Sequence, residues 1–399
     1  MVPNGWSTKP LADIVKEKIS YGIVQAGPHV PDGVPYIKSS DVRGTINPDT
    51  LQRTSQEVHF KYRRSSVHPG DIVFSLRGNI GESAIVPVSL PEANLTQGTA
   101  RISVSAEHSN QFHYYQLASE QILNRVNALS KGSTFKEISL EELRKVKVLC
   151  APLPEQKKIA QILSTWDKAI TTTEQLLANS QQQKKALMQQ LLTGKKRLLD
   201  KNGVRFSGEW RRISIGKIIK EIKKEKEANP NSFELLTVKL HYKGVTRSGK
   251  FPNATERGRP YFKRFAGELI IGRQNLHNGG IAIVSNECNG LIASNAISSF
   301  EAQKDYDVNF ILSVMSTEHF RFTVDNLAGG TGQKEIGVKD LLSLSLVVPD
   351  FEEQQKITSV LSAADQEITT LQQKLDALKQ EKKALMQQLL TGKRRVTLN

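Results

Sequence analysis

Cys150 and Cys288 are the only cysteines in 399 residues, and each sits in an apolar or mixed stretch with no second cysteine or histidine at ligand spacing. That excludes a disulfide framework, gives no reason to expect a metal site, and fits a reducing, cytoplasmic setting. No apolar run approaches the ~20 residues that span a bilayer. The start, Met1-Val2-Pro3-Asn4-Gly5-Trp6, has neither a basic n-region nor an apolar h-region, so neither secretion nor membrane insertion is expected. Catalytic signatures are missing as well. The eight histidines include no His-Glu-x-x-His, and His108 and His113 are out of helical phase for a shared metal. There is no Gly-x-Gly-x-x-Gly fingerprint and no Asn-Pro-Pro-aromatic or Asp-Pro-Pro-aromatic tetrapeptide for amino-methyl transfer. Gly329-Gly330-Thr331-Gly332-Gln333-Lys334 comes nearest to a phosphate loop but fails the Walker spacing, as does Gly132-Ser133-Thr134-Phe135-Lys136; a backbone-rich turn fits both better. The chain is therefore expected to be non-catalytic and to bind no cofactor of its own.

What is abundant is positive charge. Lys and Arg number 55 against 40 Asp and Glu, a net +15 at pH 7, enough to attract a polyanion at long range. Nucleic acid is the first partner this suggests; a basic but otherwise ordinary soluble enzyme is the alternative on charge alone. The length exceeds the usual size of one hydrophobic core, so two domains are expected.

The architecture follows from an internal repeat. Lys184-Lys185-Ala186-Leu187-Met188-Gln189-Gln190-Leu191-Leu192-Thr193-Gly194-Lys195 recurs unchanged from Lys382 to Lys393, an offset of 198 residues. At that offset, without a gap, about 25 of the 41 positions from Glu155 to Lys195 are identical to their partners. Glu155-Gln156 meets Glu353-Gln354, and Ile170-Thr171-Thr172 meets Ile368-Thr369-Thr370. Further upstream the halves diverge, although Trp6 and Trp210 each open one, and Gly70-Asp71-Ile72-Val73 resembles Gly267-Glu268-Leu269-Ile270. A tandem duplication with a shared framework and different contacts accounts for this pattern.

From Pro154 to about Thr193 the chain has no internal Pro or Gly and is rich in Gln, Lys, Leu and Ala, which predicts a helix of ~40 residues. A 4-3-4-3 spacing places Ile159, Leu163, Trp166, Ile170, Thr173, Leu177, Ser180, Lys184, Leu187 and Leu191 on one seam, the a/d pattern of a coiled coil. The second copy gives Ile357, Leu361, Ala364, Ile368, Leu371, Leu375, Leu378, Lys382, Leu385 and Leu389. Pro152, Pro154 and Pro349 mark the starts; Gly194 and Gly392, each followed by cations, mark the ends. Such a helix is about 60 Å long and needs another helix to cover its seam. The polar residues in the seams are expected to fix register at some cost in stability. The alternative is that each helix packs only on its own domain. If the pair runs antiparallel, two globular regions lie at opposite ends of a rod under a pseudo-two-fold axis, matching the local dyad of duplex DNA, with half-sites one to two turns of ~34 Å apart.

The remaining segments read as α+β. Strands are predicted at 34–38, 71–76, 84–87 and 100–104, with one helix over 111–129. The same order recurs at 235–240, 268–271, 281–285 and 296–300, with one helix over 308–327. The loops between them carry residue types suited to base edges and phosphates: Arg for guanine, Asn or Gln for adenine. In the first half these candidates are Lys38, Ser40, Arg43, Arg77, Asn79, Gln97, Thr99 and Lys136. In the second they are Lys239, His241, Tyr242, Lys243, Arg247, Arg273, Gln274, Asn275 and Lys334, with Arg257, Arg259 and Tyr261 nearby. Arg77 with Asn79, and Arg273 with Asn275, stand out for their corresponding placement. For any one of these loop residues, an ordinary exposed side chain or a phosphate contact is the plainer reading.

The segments Pro152-Leu153-Pro154-Glu155-Gln156-Lys157-Lys158-Ile159 and Glu352-Glu353-Gln354-Gln355-Lys356-Ile357, with the two Lys-Lys-Ala-Leu-Met-Gln-Gln-Leu-Leu-Thr-Gly-Lys copies, resemble the conserved regions of specificity subunits of type I restriction-modification systems. The resemblance covers essentially the whole chain. It implies two globular target-recognition domains (1–153 and 205–350) separated by two long antiparallel helices (154–197 and 351–395) that form a coiled-coil spacer, a pseudo-two-fold internal repeat. It further implies reading of an asymmetric, bipartite double-stranded DNA sequence, docking of two modification (methyltransferase) subunits, and recruitment of restriction subunits in a defence against foreign DNA. S-adenosylmethionine, and ATP with Mg, would be used by those partners. A freestanding DNA-binding coiled-coil scaffold is the rival from another class; a chain that is itself an enzyme conflicts with the missing motifs.

Overall fold

The computed structural model describes residues 2–132, 136–255, 257–327 and 335–398. The chain divides into two compact units, Met1–Gln175 with Gln373–Asn399, and Leu176–Gln372.

Unit 1 runs through β1 (Ser7–Pro10), β2 (Ser20–Tyr21), β3 (Val34–Ile37), β4 (Gln52–Thr54), α1 (Gln56–Lys61), β5 (Ile72–Ser75), β6 (Ser83–Ile85), β7 (Asn94–Leu95) and β8 (Thr99–Ile102). It continues with α2 (Asn110–Leu117), α3 (Glu120–Leu129), α4 (Leu140–Lys145) and β9 (Lys147–Cys150), then enters the long helix α5 (Leu153–Leu191). A sheet of order β2-β8-β5-β6 forms the floor, and a second sheet of order β4-β3-β7 lies in the same unit. Strands β1 and β9 pair antiparallel and close the domain on itself.

Unit 2 repeats the plan with β10 (Arg211–Ser214), α6 (Ile215–Ile218), β11 (Ile219–Glu221), β12 (Leu236–Val238), β13 (Val245–Arg247), β14 (Tyr261–Lys263), β15 (Leu269–Gly272), β16 (Ile281–Ile283), β17 (Ile292–Ser294) and β18 (Ile297–Ala302). Then come α7 (Val308–Met315), α8 (Glu318–Leu327), α9 (Val338–Ser343), β19 (Ser345–Val348) and the long helix α10 (Phe351–Leu389). Its floor is β11-β18-β15-β16, and β10 closes on β19. The second layer differs in its pairing: two antiparallel pairs, β12-β13 and β14-β17, linked by a parallel bridge between Leu235 and Ile292, stand in place of a three-stranded sheet.

Both long helices start with acidic first turns, Glu155 in one and Glu352 and Glu353 in the other, where negative charge suits the helix dipole. Both end in a left-handed glycine, Gly194 at φ +69° and Gly392 at φ +67°, a conformation that Cβ-bearing residues rarely adopt. Space matters there too. A Cβ on Gly392 would come within 2.4 Å of the Pro3 side chain. Every seam position predicted above is buried or half-buried in both helices, while the positions between are mostly exposed. Within unit 1 the helices run antiparallel, as the Asp167–Lys382 and Glu174–Lys379 ion pairs at 2.5 and 2.7 Å show. Within unit 2 the Lys184–Asp365 pair and the Ser180–Glu367 hydrogen bond show the same sense.

One expectation is revised. The single helix predicted in each half is two: Ser119 and Thr317 turn their hydroxyls back onto the carbonyls of Gln116 and Val314, at 2.6 and 2.8 Å, and break the run. The long helices share cores with the globular parts. Ile159, Leu163, Leu389 and Leu390 pack with Trp6, Phe112 and Tyr115 in unit 1. Leu191, Ile357 and Leu361 join Phe300 and Phe310 in unit 2.

Candidate nucleic-acid interface

The framework that holds the loops is the same in both units. In unit 1 the buried Glu155 carboxylate accepts from Trp6 Nε1 at 3.0 Å and from Arg395 Nε and Nη2 at 2.7 and 2.8 Å. In unit 2 Glu353 accepts from Trp210 Nε1 at 3.2 Å and from Arg197 Nε and Nη2 at 2.6 and 2.7 Å. A two-toothed guanidinium fork on a carboxylate fixes direction as well as distance, so the segment after each helix is tied to the start of the other. The bond to its carboxylate raises the pKa of each arginine. Gln156 and Gln354 then accept from the backbone N–H of Ser109 and Asp307, the N-caps of α2 and α7, at 2.9 and 3.0 Å.

On this frame unit 1 brings three loops together. Arg43 Nη2 donates to Asn79 Oδ1 at 2.7 Å, Asn79 Nδ2 donates to the Ser39 carbonyl at 3.4 Å, and Arg77 Nη2 donates to Gln97 Oε1 at 3.3 Å. A Cβ on Gly98 would stand 3.3 Å from both Arg77 Nε and Ser39 Oγ, so that glycine lets the loops approach. Arg43, Arg77 and Ser40 are exposed, and Lys38, Asn79 and Gln97 half-buried. Asp41 organises the first loop by accepting from the Lys38 backbone and the Ser40 hydroxyl. Lys136 is exposed next to the Lys131–Glu137 bridge. Thr99 does not fit the expectation. It is fully buried on β8, with its hydroxyl 3.3 and 3.1 Å from the carbonyls of Ile37 and Thr96, so it supports the loop from beneath.

Unit 2 builds its surface from two loops. The tip of the β12-β13 hairpin carries Lys239, His241, Tyr242 and Lys243; His241 and Tyr242 both sit at φ +59°. Their backbone N–H groups donate to the carbonyls of Asn278 and Gly279 at 2.8 and 3.0 Å, fastening the tip to the short helical turn Arg273–Asn278. Consecutive left-handed non-glycine residues cost free energy, and these two bonds offset it. Lys239, His241 and Lys243 are exposed, as are Gln274 and Asn275; Tyr242 is half-buried against the core, and burial raises its pKa. Arg273 is less available than Arg77, since its guanidinium reaches Glu335 at 3.2 Å and the Asn295 carbonyl at 3.1 Å. Arg247 is held by Glu234. Arg257 and Arg259 are exposed. Lys334, and the glycine-rich stretch 329–334 that contains it, lie outside the described residues.

The sequence profile described as "Type I restriction modification DNA specificity domain" matches residues 3–179 and again 209–380, most of the chain. The chain belongs to that family. Specificity subunits are the non-catalytic DNA-recognition components of type I restriction-modification complexes, and this chain is one of that kind. It is similar to the MjaVIII specificity subunit of Methanocaldococcus jannaschii, 23% identical over 99% of this chain and 94% of that one. It is also similar to the EcoBI specificity subunit of Escherichia coli, 28% identical over 165 residues, where the match spans 40% of this chain and 35% of the relative. The crystal structure of a type I S subunit from M. genitalium superposes with a TM-score of 0.60 at 14% identity, covering 100% and 99% of the two chains, which shows a shared fold.

Some cations of this specificity subunit escaped sequence reasoning. Lys61, Arg63 and Arg64 follow one another on and after α1, all exposed, with Arg63 stacked 4.4 Å over the exposed ring of Phe60. The run His59-Phe60-Lys61-Tyr62-Arg63-Arg64 was the available signal, basic residues interleaved with aromatics. Two other arginines are structural: Arg101 is buried against the Ser66 carbonyl and Glu17, and Arg264 against Ser299 and the Ile297 carbonyl. Burial pulls the pKa of Arg264 down to about 10, with the nearby Glu268 opposing. His108 and His113 do not share one helix, so helical phase does not set their spacing. His108 precedes the N-cap of α2, and it meets His113 and Cys150 in space. Among the described residues, no helix is long and apolar enough to cross a membrane.

Proposed function

We propose that this specificity subunit reads a split, asymmetric duplex DNA target, one half per unit, and carries two modification (methyltransferase) subunits on its paired helices. The observation that supports it is one framework presenting two different loop surfaces: Arg43, Asn79, Arg77 and Gln97 in unit 1, and the Lys239–Lys243 tip with Gln274 and Asn275 in unit 2. Two unlike readers on like supports suit a target whose halves differ. Arg and Asn side chains placed in this way can form paired bonds to guanine and adenine edges, while the surrounding lysines contact phosphate. In this reading the methyl donor, S-adenosylmethionine, is used by the modification subunits, and ATP with Mg by restriction subunits that join the complex.

The test is co-expression with the methyltransferase encoded beside it, followed by mapping of methylated adenines across a genome. A two-part motif with unlike halves and a fixed gap is the expected result. A contiguous motif, or no methylation with the partner bound, would leave a DNA-binding scaffold as the better account.

A further inference from the structure

Unit 1 contains a cluster that the DNA-reading function does not use. His108 from the loop before α2, His113 on α2 and Cys150 at the end of β9 each offer one donor atom, and these lie within 4.8 Å of one another. Nε2 of His113 is 3.4 Å from Nδ1 of His108. That separation is long for a firm hydrogen bond, but it is about what two nitrogens take when both bind one metal at 2.0–2.1 Å. The other ring nitrogen of His113, Nδ1, is buried without a hydrogen-bond partner. His108 Nδ1 also lies 3.3 Å from Gln156 Nε2, a contact that a metal would displace, while the buried Nδ1 of His113 keeps no partner in either state.

Comparison with unit 2 shows that the fold does not demand these groups. At the repeat offset of 198 residues, His108, His113 and Cys150 correspond to Tyr306, Ile311 and Val348, of which Ile311 and Val348 are buried core residues. The surroundings are kept. Phe112 corresponds to Phe310, and Gln156 and Gln354 accept the same bond from the N-cap backbone of the following helix pair. Each also donates to the carbonyl five residues before it, Ala151 at 2.7 Å and Pro349 at 2.9 Å. One site is apolar in unit 2, while in unit 1 three donors of the types that bind borderline metals fill it.

We propose that His108, His113 and Cys150 form a binding site in unit 1 for a single divalent transition metal of the zinc class. Two imidazoles and a thiolate suit that class, and Cys150 Sγ would close in to complete the set. On binding, the metal takes a lone pair from each imidazole and from the sulfur, and the Cys150 thiol releases its proton to solvent. His108 is half-buried, which leaves a side from which water can take the fourth position. The nearby charges, Lys9 and Glu107, are of opposite sign. Such a site would pin α2 and β9 to each other beside Gln156, at the start of α5.

The experiment uses the purified full chain, freed of affinity tag and metal, and titrated with Co2+ and then Zn2+. The expected result is one equivalent of Co2+ bound with a sulfur-to-cobalt charge-transfer absorption, displaced by Zn2+, and a rise in the melting temperature with Zn2+. Cys150→Ser should abolish the charge-transfer band. Replacing all three donors by the unit 2 residues (His108→Tyr, His113→Ile, Cys150→Val) should abolish binding, whereas Cys288→Ser should leave it intact. Should the triple variant fail to fold, His108→Gln, at the half-buried position, should still weaken Co2+ binding at least tenfold. Absence of stoichiometric binding, or a cobalt spectrum unchanged by Cys150→Ser, overturns the proposal.

Discussion

The two units share a floor and differ in what stands on it. Strand orders β2-β8-β5-β6 and β11-β18-β15-β16 correspond one to one, and so do the Trp-Glu-Arg groups built on Glu155 and Glu353. Above that level unit 1 has the three-stranded sheet β4-β3-β7 with its parallel β3-β7 pair, whereas unit 2 has two antiparallel pairs joined only by the parallel Leu235–Ile292 bridge, and a hairpin tip in left-handed conformation. The lesson is a separation of tasks. Residues that satisfy buried charge and pack the long helices are constrained by partners on both sides, while exposed loop residues such as Ser40, His241 and Gln274 are open to what they touch outside.

If the frames are equivalent, matched core deletions should cost the same. Phe112→Ala and Phe310→Ala each empty a fully buried aromatic site, and each should lower stability by about 3–5 kcal/mol. Hydrogen exchange measured separately over each unit reads the cost; a marked inequality between the two would break the comparison. Next come the capping carboxylates. Glu155→Ala leaves the Trp6 indole N–H without its acceptor, and Glu353→Ala does the same to Trp210. A loss of about 1–3 kcal/mol for the orphaned indole is expected in each, read as a fall in urea midpoint.

The surfaces should behave in the opposite way, each variant acting on one half of the target. Asn79→Ala, which also frees Arg43, should relax base preference in one half-site by about 1–3 kcal/mol, roughly five- to 150-fold. Asn275→Ala should relax only the other. Methylome mapping checks both, and a change in both halves from either substitution would contradict the modular reading. The smallest effect should come from the seam lysines. Lys184 and Lys382 are partly exposed and each meets an aspartate of the other helix, Asp365 and Asp167. Lys184→Met and Lys382→Met should each change stability by less than about 1 kcal/mol, measured by thermal unfolding, because the pairs serve register more than strength.

Sequence periodicity and the repeat determined a great deal. The seam from Ile159 to Leu191 and its copy from Ile357 to Leu389 were readable because a heptad pattern is local and leaves its mark every three or four residues. The terminal glycines were readable because only glycine sits easily at positive φ. The sheet floor could be placed to within a few residues, since strands 72–75 and 269–272 are fully or mostly buried and therefore continuously apolar. Other features depend on contacts distant in sequence. Nothing local marks Thr99 as buried beneath its loop rather than exposed on it, commits Arg273 to Glu335 while Arg77 faces Gln97, or gathers His108, His113 and Cys150 from a loop, a helix and a strand. Local spacing encodes helices, seams and turns, because the forces that form them act between near neighbours. Which polar side chains face solvent, which face each other and which meet around a point are decided only when the sheet closes and its distant segments are packed together.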